Sequence, residues 1–125
     1  MSSADNRREY FRVELDTLPA TMQILEVGQR PITTNPRPIV ILNASGGGLY
    51  IQVEEDLPIR RGVICQFAFT LGQQAFSVRG ELSRKLDDRE SYRYGVEFID
   101  LDEYHRGLLV SSLGRIQVEQ AKTGG

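Results

Sequence analysis

The chain has 125 residues, 40% of them hydrophobic and 26% charged, which describes one globular domain with a single core and excludes a disordered chain. Its formal net charge is -2, so it lacks the broad positive face that duplex nucleic acid or an anionic membrane demands, and any anion site must be local. Cys65 is the only cysteine, which excludes an internal disulfide and a cysteine-rich metal site, and its apolar neighbours point to a buried thiol.

No apolar run approaches the length of a membrane span, and the first residues carry no apolar leader segment, so a cytoplasmic protein without membrane insertion is expected. Residues 1–6 are small and polar, as in a flexible tail. Arg7-Arg8-Glu9-Tyr10-Phe11-Arg12 then runs into Val13-Glu14-Leu15 and, after Pro19, into a strand from Ala20 to Val27. Gly28-Gln29-Arg30-Pro31 and Asn35-Pro36-Arg37-Pro38 are turn signals. The run Ile39 to Leu42 reads as a strand. It delivers Asn43-Ala44-Ser45-Gly46-Gly47-Gly48, where small side chains and three glycines are expected to expose bare backbone. Leu49 to Val53 alternates as another strand, Glu54 to Pro58 is a polar loop, and Cys65, Phe67 and Phe69 share one face of the next strand. Gly72-Gln73 links that strand to Phe76–Leu82 as a hairpin, Lys85 to Glu90 reads as a charged loop, and Tyr92 to Phe98 as the last strand.

From Asp102, a candidate helix cap, the apolar period lengthens, and Leu108, Leu109, Ser112, Leu113 and Ile116 form one stripe of a helix. Gly107 and Gly114 cost that helix about 1 kcal/mol each, so it depends on docking against the rest of the chain. About six short strands and one terminal helix predict a mainly β fold, an antiparallel barrel whose closure protects its edges.

Catalytic chemistry finds little support. His105 is the only histidine and has no metal-spaced partner or nearby nucleophile, and Ser45 lacks the frame of a nucleophile elbow. No enzyme, no metal site and no cofactor are expected. The arginine segment holds more. Judged alone, three arginines offset by Asp5 and Glu9 describe an ordinary solvated terminus. Arg8 and Arg12 lie on the same side of an extended or a helical segment, however, and Arg12 adjoins the first strand. The planar fork of arginine grips phosphate through two hydrogen bonds while its face stacks on a base. With a glycine-rich strand end, these arginines describe a nucleotide-sized anion site.

Arg8-x-x-x-Arg12 followed by Asn43-x-Ser45-x-x-Gly48, with Tyr94-Gly95-Val96-Glu97-Phe98 and a helix after it, resembles the PilZ domain family of bacterial cyclic di-GMP receptors. The resemblance covers residues 7–118, leaving a second flexible tail over 119–125. It implies a six-stranded antiparallel barrel of Greek-key, split-barrel type with a C-terminal helix. It further implies that Arg8 and Arg12 grip the phosphates and stack on guanine, that Asn43 and Ser45 bond to guanine edges, and that Gly48 keeps the surface open. An arginine at Arg7 implies two stacked ligand molecules in place of one. An amide at Asn43 accepts hydrogen bonds more weakly than a carboxylate would, so affinity is expected to suffer modestly. Arg79 and Arg84 read as solvent-exposed charges on strand ends.

The arm from Met1 to Phe11 would be mobile without ligand and fold across residues 43–48 with it, creating a surface for an unidentified protein effector. Two rivals are a ligand-free interaction module of the same family and a single-strand RNA or DNA binder, the second opposed by the acidic balance.

Overall fold

The computed structural model describes residues 10–87 and 92–123. The expected tail over 1–6, the arginines Arg7 and Arg8, and residues 124–125 lie outside the described residues. Alternation of apolar and polar side chains builds the strands. In β1 (Val13–Val27), β3 (Arg37–Ala44), β4 (Gly48–Val53), β5 (Val63–Leu71), β6 (Gln74–Asp87) and β7 (Tyr92–Ile99), every second residue over much of the length turns inward. A two-residue strand, β2 (Arg30–Pro31), adds to the outer edge of β1.

The sheet order is β2-β1-β3-β4-β7-β6-β5, and β5 pairs back onto β1. All pairings are antiparallel. The six longer strands therefore form the closed barrel that the residue pattern predicts, with β2 as an addition. Closure falls to β1. Its first part pairs with β3, from Val13 opposite Ala44 to Met22 opposite Arg37, and its second with β5, from Thr21 opposite Ala68 to Val27 opposite Val63. The sequence divides this segment at Pro19, but it is one strand. The register shifts between Glu14 and Leu18, where Asp16 and Thr17 take φ of 49° and 58°, and Pro19 follows the bulge, where a missing donor disrupts the ladder least. β6 continues to Asp87, paired with Tyr92, so the charged segment from Lys85 begins within a strand and not in a loop.

Met22, Ile41, Ile51, Val63, Cys65 and Phe67 are fully buried in the barrel, and Phe69 stacks on Phe76 with ring centroids 5.5 Å apart. Tyr94 is buried too. Its hydroxyl donates to the Glu55 carbonyl at 2.9 Å and accepts from the Leu57 N–H at 2.7 Å, tying the loop after β4 to the barrel. Burial pushes the Cys65 thiol up to about 12 against the pull of Arg37, so it stays protonated and unreactive near neutral pH.

The helix α1 (Glu103–Thr123) covers one end of the barrel. Leu109, Ser112 and Leu113 are buried, and Leu108 and Ile116 pack against the core. Asp102 caps it: the His105 N–H donates to Asp102 Oδ1 at 2.8 Å, and the His105 ring Nδ1 lies 2.8 Å from Oδ2. The helix runs past Val118, where the sequence places the start of a tail, to Thr123. Gln120 ties that last turn to the barrel by donating to the Glu14 carbonyl at 2.6 Å.

Replacing Tyr94 with Phe leaves the buried Leu57 N–H and the Glu55 carbonyl without their partner. A loss of about 2 kcal/mol is expected in chemical denaturation. The Asp102 carboxyl is held below its ordinary range by the His105 N–H first and the His105 ring second. Its stabilising effect is therefore present above the unfolded value near 3.8 and disappears as pH falls through the lower folded value. The gap in melting temperature between the wild type and Asp102→Ala should hold from pH 7 to pH 5 and close below pH 3.8.

Candidate functional site

β3 carries Asn43 and Ala44 to the rim of the barrel, and the chain turns through Ser45, Gly46 and Gly47 into β4 at Gly48. The turn is held on both sides. The Ser45 N–H donates to the Gly48 carbonyl at 3.0 Å, the Gly47 N–H to Ser45 Oγ at 3.2 Å, and the Phe98 N–H of β7 to the Gly47 carbonyl at 3.1 Å. Asn43 and Ser45 are each 8% exposed.

The register of β1 against β3 sets Glu14 opposite Asn43 and leaves Arg12, two residues earlier on the same face, diagonal to it. Arg12 donates from Nη1 to Asn43 Oδ1 at 3.3 Å across a sequence separation of 31 residues. Arg12, Ser45 and Gly48 line a cavity of about 660 Å³, and Asn43 meets it through its bond to Arg12. Gly47 and Leu49 line it as well, residues 95–98 of the paired strand β7 and Ser83 of β6 continue the lining across the sheet, and Tyr10, Glu103 and Arg106 line it nearest α1. A volume of this order suits a nucleotide-sized ligand.

The glycines differ in their work. A Cβ at Gly46 would stand 2.5 Å from the Tyr10 ring and 2.9 Å from Val110, so the backbone expected to lie bare is covered there by an aromatic ring. A Cβ at Gly48 would stand 2.0 Å from the Val96 carbonyl oxygen, so this glycine permits the close approach of β4 to β7.

Three residues of the cavity were not singled out from sequence: Arg106, Glu103 and Ser83. Arg106 is the most connected. Its Nη1 donates to the Gly46 carbonyl at 3.1 Å and the Tyr10 hydroxyl at 3.3 Å, its Nη2 donates to the Leu101 carbonyl at 3.2 Å, and its guanidinium carbon lies 5.5 Å from the Tyr10 ring centre. Helical period alone marks Leu109 and Leu113 as inward, but nothing local ties Arg106 to a residue 96 positions away. Among the described residues the charges lining the cavity are Arg12 and Arg106 against Glu97 and Glu103. Arg79 does not line it; this residue is exposed and lies 3.9 Å from Asp100. The Arg84 side chain, like Arg7 and Arg8, lies outside the described residues.

Among the described residues no group of three His, Cys, Asp or Glu could hold a metal ion, and no helix is long and apolar enough to cross a membrane. A second cleft, of about 740 Å³, lies between the β5–β6 hairpin and the C-terminal half of α1 and contains none of the motif residues.

The family model described as "PilZ domain" matches residues 6–115. The chain belongs to the PilZ domain family. No curated protein matches it in sequence. In structure this PilZ domain is similar to the Bacillus subtilis inhibitor of motility (MotI/DgrA), with a TM-score of 0.70 and 16% identity over 91% of this chain and 52% of that one. It spans about half the length of that protein. It is also similar to the PilZ domain of Escherichia coli YcgR solved with cyclic di-GMP, with a TM-score of 0.59 and 20% identity over 93% and 98% of the two chains. A third likeness is to the PilZ domain of CeSA from a cellulose-synthesizing bacterium, with a TM-score of 0.63 and 9% identity over 86% and 98%. At these identities the likenesses establish the fold.

Gly48→Ala in this PilZ domain should push β4 from β7. A destabilisation of about 1–3 kcal/mol is expected from the clash with Val96, measured as a lower denaturation midpoint.

Proposed function

We propose that this protein is a cytoplasmic receptor for cyclic di-GMP that passes the signal to a separate protein, and that it performs no catalysis. The observation that carries the reading is the Arg12–Asn43 hydrogen bond, which joins the two halves of the motif at one nucleotide-sized cavity. Membership of the PilZ family and the likeness to a domain solved with cyclic di-GMP support it.

The charges lining the cavity balance among the described residues, so a doubly negative ligand needs further positive charge there. Arg7 and Arg8, immediately upstream of Tyr10, are the source of that charge. Arg8 and Arg12 grip the phosphates through paired hydrogen bonds and lay their planar faces on guanine. Asn43 and Ser45 face the guanine edge. Guanine N–H donors compete with Arg12 for Asn43 Oδ1, which accounts for a modest loss of affinity relative to a carboxylate at that place. Arg7 recruits a second, stacked ligand molecule. Tyr10 already covers Gly46, and neutralising the arginines folds the segment before it over the rest of residues 43–48; the surface so formed engages the effector.

Isothermal titration with cyclic di-GMP, with the linear dinucleotide and GTP as controls, tests this. Saturable, selective binding is expected, at two ligands per chain. Arg8→Ala or Arg12→Ala should weaken binding about a hundredfold or more with little change in the melting temperature of the ligand-free protein. No binding at high micromolar ligand would overturn the proposal and leave a ligand-free interaction module.

A further inference from the structure

Arg106, Val110 and Gly114 recur every four residues on α1 and share a face beside the buried line of Leu109 and Leu113. That face receives the two aromatic residues in the middle of the arginine motif. Tyr10, with Val110, covers Gly46, and the Phe11 ring reaches to 3.9 Å from where a Cβ on Gly114 would stand. Arg106 fastens the arrangement. Its fork bonds three separate segments: Tyr10 of the arm, Gly46 of the β3–β4 turn and Leu101 of the link between β7 and α1. Among the described residues no carboxylate pairs with it, and its Nε–H is buried without a partner.

We propose that Arg106 is a positioning residue of the ligand site: it holds Tyr10, and through Tyr10 the backbone that leads into Arg12, on the Gly46 seat before ligand arrives. This rests on the cyclic di-GMP reading above. The physical basis is preorganisation. A segment already docked at Tyr10 loses less freedom on binding, so more of the interaction energy of Arg12 remains as affinity. Holding three acceptors on three segments needs a planar fork with spread donors; the compact ammonium of lysine supplies the charge without that reach.

The test uses the full chain and two readouts. In titrations with cyclic di-GMP, Arg106→Ala, Arg106→Lys and Tyr10→Ala should each weaken binding at least tenfold. The Tyr10→Ala/Arg106→Ala double variant should bind no more weakly than the poorer single variant, because both changes release the same seat. In the ligand-free protein, chymotrypsin should cut after Tyr10 at least tenfold faster in Arg106→Ala than in the wild type, at a temperature well below the melting transition of both, where release of the segment and not global unfolding is read. Wild-type affinity in Arg106→Lys, or losses that multiply in the double variant, would overturn the inference by showing that Arg106 acts through charge or elsewhere. An unchanged cleavage rate would overturn it even if the wild type bound no cyclic di-GMP, so its failure is separable from failure of the receptor reading.

Discussion

One strand, β1, is hydrogen-bonded to β3 along its first part and to β5 along its second, and this double pairing closes the sheet. An open sheet of these strands would leave two unpaired edges and an uncovered apolar face. β1 carries an irregularity in each pairing, between Glu14 and Leu18 against β3 and between Ile24 and Glu26 against β5, and such bulges bend and twist a strand. The same pairing fixes the site. With Glu14 opposite Asn43, Arg12 lies two residues earlier on the same face of the pair, and its long side chain reaches Asn43 along the diagonal. Fold and candidate site therefore share one constraint.

Around that junction the chain uses small residues for close packing more than for access. Gly48 lets β4 approach the Val96 carbonyl, and Gly46 gives Tyr10 a seat that any side chain would obstruct. Tyr10 and Phe11, immediately before Arg12, are joined to α1 by aromatic contacts and by Arg106. The helix is thus more than a lid on the core. One face buries Leu109 and Leu113, and its neighbour holds the arm, which couples any movement of the motif to the helix.

Strand periodicity carried most of the architecture. Val63, Cys65, Phe67, Phe69 and Leu71 alternate without interruption and lie inward as their period of two requires, and the Asp102 cap was readable from residue type alone. Irregular backbone was harder to read. Pro19 looks like a break because proline lacks a donor, yet the bulge beside it absorbs the loss and the strand continues. Lys85 to Asp87 look like loop because they are mostly charged, yet pairing with residues 92–94 draws them into β6. Gln120 extends the helix beyond its apolar stripe through a contact with Glu14, which no local pattern announces.

Legible within single stretches of the chain are the alternation that makes the strands, the change of period that makes the helix, and the two halves of a motif whose residue types suit a phosphate and a base. These are local properties, set by side-chain chemistry and the geometry of a few neighbouring residues. Which distant groups meet is settled by packing alone. Arg12 reaches Asn43, Gly46 lies under Tyr10, Gly48 faces Val96, and Arg106 links three segments that are far apart in the chain. Those meetings depend on the register of paired strands and the docking of the helix. Both are fixed when the whole core packs at once, and neither is encoded within any one stretch of residues.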